Sequence, residues 1–456
     1  MPSRRRQAKK PARASLRRDA KAIYRAALDS VRAGVVVPKF IAIEKTARGE
    51  RIRCGNRRFP LQRGGRLIVV GAGKASSHMA SAAERILGRR ISGGAVVTQT
   101  GYAAACRRVE VLEASHPIPD AAGVRAARKI GEWVDGAGAE DLIVCLISGG
   151  GSALLPAPAE GVTLRDKRAT TDALLKAGAP IDSLNCVRKH LSRFKGGRLA
   201  ARAAPARLLT LAISDVVGDP FDVIASGPTS GDPTTFADAA GELKRYGVWV
   251  SAPPRVRRHL ERGIAGEIPD TPGPEDPIFA RVHNQITANN GTALQAAREA
   301  ARALGYRPVV LTRRMQGEAR EIGKFLAGVA GGVRADGTPA RPPACLLIGG
   351  ETTVTVEGKG LGGRCQELAL SFIDNLEYEN NICLLAAGTD GKDGPTPAAG
   401  AIVDDKSFQL VQKQGIDLRS FLRDNDSHRY FGDYGELIST GPTGTNVMDL
   451  VVVIAR

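Results

Sequence analysis

Aromatic residues are scarce, making up 4% of the 456 residues, so a hydrophobic core must be filled by Leu, Val, Ile and Ala. Those are the residues that line parallel sheets covered on both faces. No apolar run approaches the ~18 residues of a membrane-crossing helix, which excludes that class of span. The seven cysteines, at 54, 106, 145, 186, 345, 365 and 383, form no CxxC pair, and a structural zinc site is not expected. Several lie inside apolar runs, such as Cys145 in DLIVCLIS and Cys345 in ACLLIGG, where a thiol acts as a small hydrophobe. That usage points to a reducing compartment, the cytoplasm.

Acidic residues are also in the minority, and the formal charge is +18. Residues 1–18 carry eight basic side chains, the last two being Arg17 and Arg18, and no acid. Such an end is expected to be a solvated, disordered tail, because it cannot bury enough apolar area to fold. No apolar stretch follows it, so it is not a secretory signal. No nucleic-acid fold accompanies the charge, so nucleic acid is not an expected partner. A basic body with clefts attracts anionic metabolites instead.

Glycine is plentiful, with 53 residues gathered in clusters rather than at a fixed period, which speaks for functional turns. The length exceeds what one core ordinarily serves, so two domains are expected. From residue 66, short apolar runs (RLIVV, GGAVVT, DLIVCLI, RLLTLAI) alternate with helix-like stretches. That alternation predicts an α/β fold with a parallel sheet. The expected layout is a large Rossmann-like N-terminal domain over 19–250, a Pro/Gly-rich linker over 251–280 and a connecting α/β segment over 281–335. A smaller α/β domain over 340–456 completes it.

In such folds ligands bind beyond the carboxyl ends of the strands, so glycine-rich loops after apolar runs carry the chemistry. VVGAGKAS (69–76) offers Gly71, Gly73 and Lys74, but it is neither a Walker A loop nor a GxGxxG fingerprint. LISGGGS (146–152) offers Ser148, Gly149, Gly150, Gly151 and Ser152 as anion-holding donors. In LNCVRKHLSRFKGG (184–197), Asn185 and Lys189 stand four apart on one helix face, with Lys195 and Gly196 just beyond. Asp215 follows a strand in ISDVVGD, where phosphoryl-transfer enzymes place a metal-binding or proton-accepting carboxylate. Toward the C-terminus the theme repeats with Glu351 in GGETT, Arg364 in GGR, Thr389 and Asp390 in AAGTDG, and Gly444 and Asn446 in GPTGTNVMDL. Six such loops in one chain speak for an enzyme rather than a binding module.

The collinear set GAGKAS, SHPIPD, LISGGGSALLPAP, ISDVVGD, IASGPT, GGETTVTV, AAGTDG and GPTGTNVMDL resembles the glycerate 2-kinase family, with its C-terminal MOFRL domain. Members of that family are often labelled hydroxypyruvate reductases. The resemblance implies transfer of the γ-phosphoryl of ATP to the 2-hydroxyl of D-glycerate, giving 2-phosphoglycerate and ADP, with Mg²⁺ and a site in the cleft between the domains. It carries over Lys74 and Arg364 as the cationic groups. Asp390 and Asp215 are the acidic candidates, for accepting the hydroxyl proton or holding the metal. Where the family usually reads GGRNQE, this chain has Cys365. A homodimer is compatible with the resemblance. NAD(P)H-dependent reduction of hydroxypyruvate is the alternative, against which stands the missing dinucleotide fingerprint.

Overall fold

The computed structural model describes residues 15–47, 49–376 and 381–456. The chain divides into two compact units. The larger runs over Ser30–Asn290 with Pro442–Met448, and the smaller holds Gly291–Gly441, Asp449–Arg456 and the described residues up to Asp29.

In the larger unit, β1 (Ile41–Thr46), β2 (Gly49–Cys54) and β3 (Arg57–Pro60) form an antiparallel sheet. The main sheet contains β4 (Leu67–Ala72), β5 (Ile91–Gln99), β6 (Glu110–Ala114), β7 (Leu142–Ser148), β8 (Arg207–Ile213) and β9 (Val282–Ala288). All its pairings are parallel, in the order β6-β5-β4-β7-β8-β9. This is the doubly wound order of nucleotide-binding sheets, and it reverses direction between β4 and β7. Every residue of β4 and β7 is buried, as continuous apolar runs covered on both faces require. The register puts Ala72, Ile147 and Ala212 in one row, so the loops after β4, β7 and β8 start level with one another.

The expected linker over 251–280 is part of this unit, not a connection between units. Pro254 opens a helix, Pro254–Ile264, at the position where proline's missing N–H costs nothing. Val256 and Leu260, four residues apart, bury one face of it beside Phe236 and Leu243. The expected connecting segment 281–335 is divided: β9 is the edge strand of the main sheet, and the residues from Gly291 onward belong to the smaller unit.

The smaller unit has a six-stranded mixed sheet built from β10 (Arg307–Met315), β11 (Ala344–Gly350), β12 (Ile382–Gly388), β13 (Gly400–Asp404), β14 (Glu436–Ile438) and β15 (Asp449–Ala455). Its order is β10-β11-β15-β12-β13-β14, and only β10 and β11 pair in parallel. Leu326, Leu368, Phe372, Leu384 and Val453 lie in its core. The helix Leu16–Ser30 belongs here, so Arg17 and Arg18 are not tail residues; the rest of that tail, residues 1–14, lies outside the described residues. Arg17 is fixed by Asp404 at 2.7 Å and Glu436 at 2.6 Å.

Candidate active site

The reversal point of the main sheet is where the first two glycine loops meet. Gly73 leaves β4 at φ 139°, and a Cβ there would stand 2.2 Å from Ser148 Oγ, so this position requires glycine. The Lys74 N–H donates to the Gly149 carbonyl at 2.9 Å, and the Ala75 N–H donates to Ser148 Oγ at 2.9 Å. Ser76 Oγ ties the turn to the carbonyls of Gly73 and Val97. The backbone of Lys74 is therefore held from both neighbouring strands, at the start of the helix Ser76–Leu87.

The second loop is crowded by side chains on three sides. A Cβ on Gly149 would fall 2.0 Å from Asp215 Oδ2 and 2.4 Å from Asn446 Nδ2, and one on Gly150 would fall 2.9 Å from the His116 ring. Asn446 Nδ2 donates to Asp215 Oδ2 at 3.0 Å. Asn446 belongs to the segment 442–448, the part of the C-terminal region that lies in the larger unit, where Gly444 packs against His78. Lys74, His116, Gly149, Gly150, Asp215 and Asn446 thus form one half-exposed cluster.

Behind it lies a layer of buried polar groups. Ser152 and Ser226 share a 2.9 Å hydrogen bond, Ser226 Oγ donates to Asn185 Oδ1 at 3.1 Å, and Lys195 Nζ donates to the Ser152 carbonyl at 2.8 Å. Ala225 and Ser226 hold φ values of 52° and 62°, strained for residues with a side chain. Lys189, on the same helix face as Asn185, has a different partner. Its ammonium, 5% exposed, pairs with fully buried Asp232 at 3.1 Å, and Gly196 packs on the same carboxylate.

In the smaller unit, Arg364 opens the helix Arg364–Asp374. It grips the buried Asp449 through two bonds of 2.5 and 2.8 Å and reaches Glu351 at 3.2 Å. Burial works against its charge, but Asp449 more than offsets this and holds the guanidinium well above its usual value. Gly388, at the end of β12, lies between Asp449 and Asp390, and Asp390 Oδ1 accepts the Lys392 N–H at 3.0 Å. Thr389 is fully buried. Asp393 accepts the N–H groups of Cys365 and Gln366, and burial together with Asp449 pushes its carboxyl up to about 6.

Residues 344–449 match the MOFRL family, and residues 19–261 match a domain of unknown function, DUF4147. A glycerate 2-kinase of Pyrococcus horikoshii is 42% identical over 86% of this chain and 87% of its own. The crystal structure of a glycerate kinase from Thermotoga maritima superposes with a TM-score of 0.83 at 37% identity, covering 97% of this chain and 99% of that one. The chain belongs to the glycerate 2-kinase family. A further relative, from Agrobacterium vitis, is provisionally named as a hydroxypyruvate reductase and is 45% identical over 86% of this chain.

Within this member of the glycerate 2-kinase family, Cys365 is 2% exposed and contributes its backbone N–H to Asp393, a role that does not depend on the side chain. Two further residues matter to the geometry. Asp449, within GPTGTNVMDL, is the partner of Arg364, a pairing that nothing local in that motif marks. Lys167 sits on an ordinary amphipathic helix, Leu164–Lys176, with no local signal at all. Among the described residues no helix is long and apolar enough to cross a membrane.

Proposed function

We propose that the chain transfers the γ-phosphoryl group of ATP to the 2-hydroxyl of D-glycerate, releasing 2-phosphoglycerate and ADP. The observation that carries this reading is the meeting of Lys74, the Gly149–Gly150 turn and Asp215 at the reversal point of a doubly wound sheet. Both substrates are anions, and phosphoryl transfer asks the protein mainly for positioning and charge stabilisation. Lys74 is assigned to the transferring phosphoryl group, beside backbone N–H groups of the glycine turn. Asp215, aimed by the amide of Asn446, is assigned as acceptor of the hydroxyl proton. In the smaller unit, Arg364 is assigned as the second cation, with Asp449 and Glu351 fixing its orientation.

Magnesium suits this reading. Asp390 lies in the turn two residues beyond β12 and offers a hard carboxylate oxygen, the donor type that Mg²⁺ prefers. Among the described residues no group of three or more His, Cys, Asp or Glu could hold a metal, so the ion would take most of its ligands from phosphate and water. When bound, it would neutralise charge on the β- and γ-phosphates. The six buried free cysteines fit a reducing compartment, and we place the enzyme in the cytoplasm.

The test is ADP release that requires D-glycerate, followed in parallel with NADH consumption on hydroxypyruvate. Lys74→Ala is expected to lower kcat by roughly 10²-fold or more while the protein stays folded. Near-parental turnover in that variant refutes the assignment of Lys74, and NADH loss without glycerate-dependent ADP would make the enzyme a reductase.

A further inference from the structure

The larger unit contains a second feature that the phosphoryl-transfer cluster does not use. A cavity of 370 Å³ opens beside the glycine turn, with His116 and Gly150 forming the wall it shares with that cluster and Ser152 next to them. Its inner wall is cationic, made by Lys167, Arg188 and Lys195. Lys167 and Lys195 are 6% and 2% exposed. Among the described residues neither of them nor Arg188 forms an ion pair, although lysines this buried are ordinarily paired. Lys167 Nζ donates to the carbonyls of Arg188 and Leu191, and Lys195 Nζ to that of Ser152, which leaves donors on both ammonium groups. Arg168 lines the same cavity, and its Nε is buried without a hydrogen-bond partner. The single carboxylate of the lining, Asp172, lies at the exposed mouth.

We infer that this cavity receives the carboxylate of the acceptor substrate, with Arg188 and Lys195 as its principal donors and Lys167 as the charge behind them. The inference rests on the glycerate-kinase reading and extends it to the group that distinguishes glycerate from a neutral polyol. Three converging basic groups without counter-ions form an incomplete electrostatic arrangement, and a bound carboxylate completes it. Pro117, Ile118 and Pro156 make the remaining wall apolar. That suits a short carbon skeleton better than a triphosphate, which needs polar donors along its length. Gly150 joins the two regions, since a Cβ there would lie 3.4 Å from Lys74 Cγ as well as against His116. A substrate anchored by its carboxylate in the cavity would therefore present its hydroxyl toward the turn.

The charge states agree with this picture. Burial, then repulsion by Arg188, pushes Lys167 down to about 7. Burial, then Lys167 and Arg188, pushes Lys195 well below its ordinary value, and burial lowers Arg188. With His116 and Arg168 also facing the cavity and only Asp172 opposing, an anion would restore the charge on the lysines, so binding takes up protons.

The experiment compares Arg188→Gln and Lys195→Met with the parent, using calorimetric binding of D-glycerate without ATP and steady-state kinetics with Mg-ATP. Both variants are expected to weaken glycerate binding and raise its KM by about tenfold or more, while the KM for ATP stays within about twofold. Preference for glycerate over its uncharged amide should fall in step. Parental glycerate affinity in folded Arg188→Gln overturns the assignment, as does a rise confined to the KM for ATP. Should Lys195→Met fail to fold, half-exposed Arg188 carries the test. The calorimetry also separates this inference from the kinase reading. Glycerate binding that depends on Arg188 supports the cavity even in a protein that releases no ADP, and a parent that binds no glycerate overturns it.

Discussion

Gly149→Ala is the sharpest test of the cluster at the sheet reversal. Gly149 is not among the residues with positive φ, so its backbone accepts alanine and the effect is steric alone. The new methyl would lie 2.0 Å from Asp215 Oδ2, 2.6 Å from Asp215 Cγ and 2.4 Å from Asn446 Nδ2. Ordinary contact needs roughly 3.5 Å, so the carboxylate must retreat by about 1.5 Å. The displaced atoms are side-chain ends rather than backbone, which keeps the stability cost near the ~1–3 kcal/mol of core overpacking. Misplacing a reacting group by ~1 Å costs on the order of 10²-fold in rate. The expected result is a roughly 100-fold loss of kcat in glycerate-dependent ADP release, with a melting temperature lowered by only a few degrees. A double-mutant cycle isolates the cause: in an Asp215→Ala background, Gly149→Ala should cost almost nothing further. Activity within about threefold of the parent, with the fold intact, would refute the placement of Asp215 in the chemistry.

Gly241→Ala is the matched control. Gly241 lies inside the helix Phe236–Arg245 with nothing within 4 Å of a Cβ, so alanine should stabilise by about 1 kcal/mol in urea unfolding and leave turnover unchanged. Asp232→Ala removes the nearer carboxylate of the buried Lys189 ammonium and leaves only Asp222 at 3.8 Å, so it should cost about 3 kcal/mol, the low end for a broken buried pair, by the same assay. His190 is held at about 9: burial opposes its charge, but hydrogen bonds to Asp270 and to the Cys186 carbonyl outweigh it. A folded value above the unfolded one of ~6.5 stabilises fully below that pH and is lost as pH rises through about 9. Asp270→Asn should therefore lower the melting temperature at about pH 6 and converge with the parent above pH 9, as pH-dependent thermal melts would show.

The main sheet is legible in the sequence because parallel strands buried on both faces leave uninterrupted apolar runs. RLIVV, DLIVCLI and RLLTLAI correspond to β4, β7 and β8 within one or two residues. The antiparallel β1–β3 sheet is not legible, because charged side chains interrupt its pattern. Glu44 is paired with Arg51 and Arg53 on β2 and with Arg58 on β3, a stabilisation that exists only after folding. Residues 251–280 mislead for a different reason. Pro253 and Pro254 cap and start a helix there, and its two buried apolar positions, Val256 and Leu260, are too few to stand out against the surrounding arginines.

For the site, sequence marks the loops but not what each loop faces. The glycines at 73, 149 and 150 stand where strand ends are level, and that levelness is a property of register, which apolar runs alone do not fix. Asn446 reaches Asp215 across 231 positions of sequence, and nothing local in GPTGTN says that its segment belongs to the larger unit. Lys189 shows the converse. A correct helical face pairs it with Asn185, yet Asp232, 43 residues away, takes its charge. Lys167 and Lys195 reverse the case again, being buried without any such acid. Burial lowers both lysines, and an arriving anion would favour their charged forms, which is the ground for the carboxylate site proposed above.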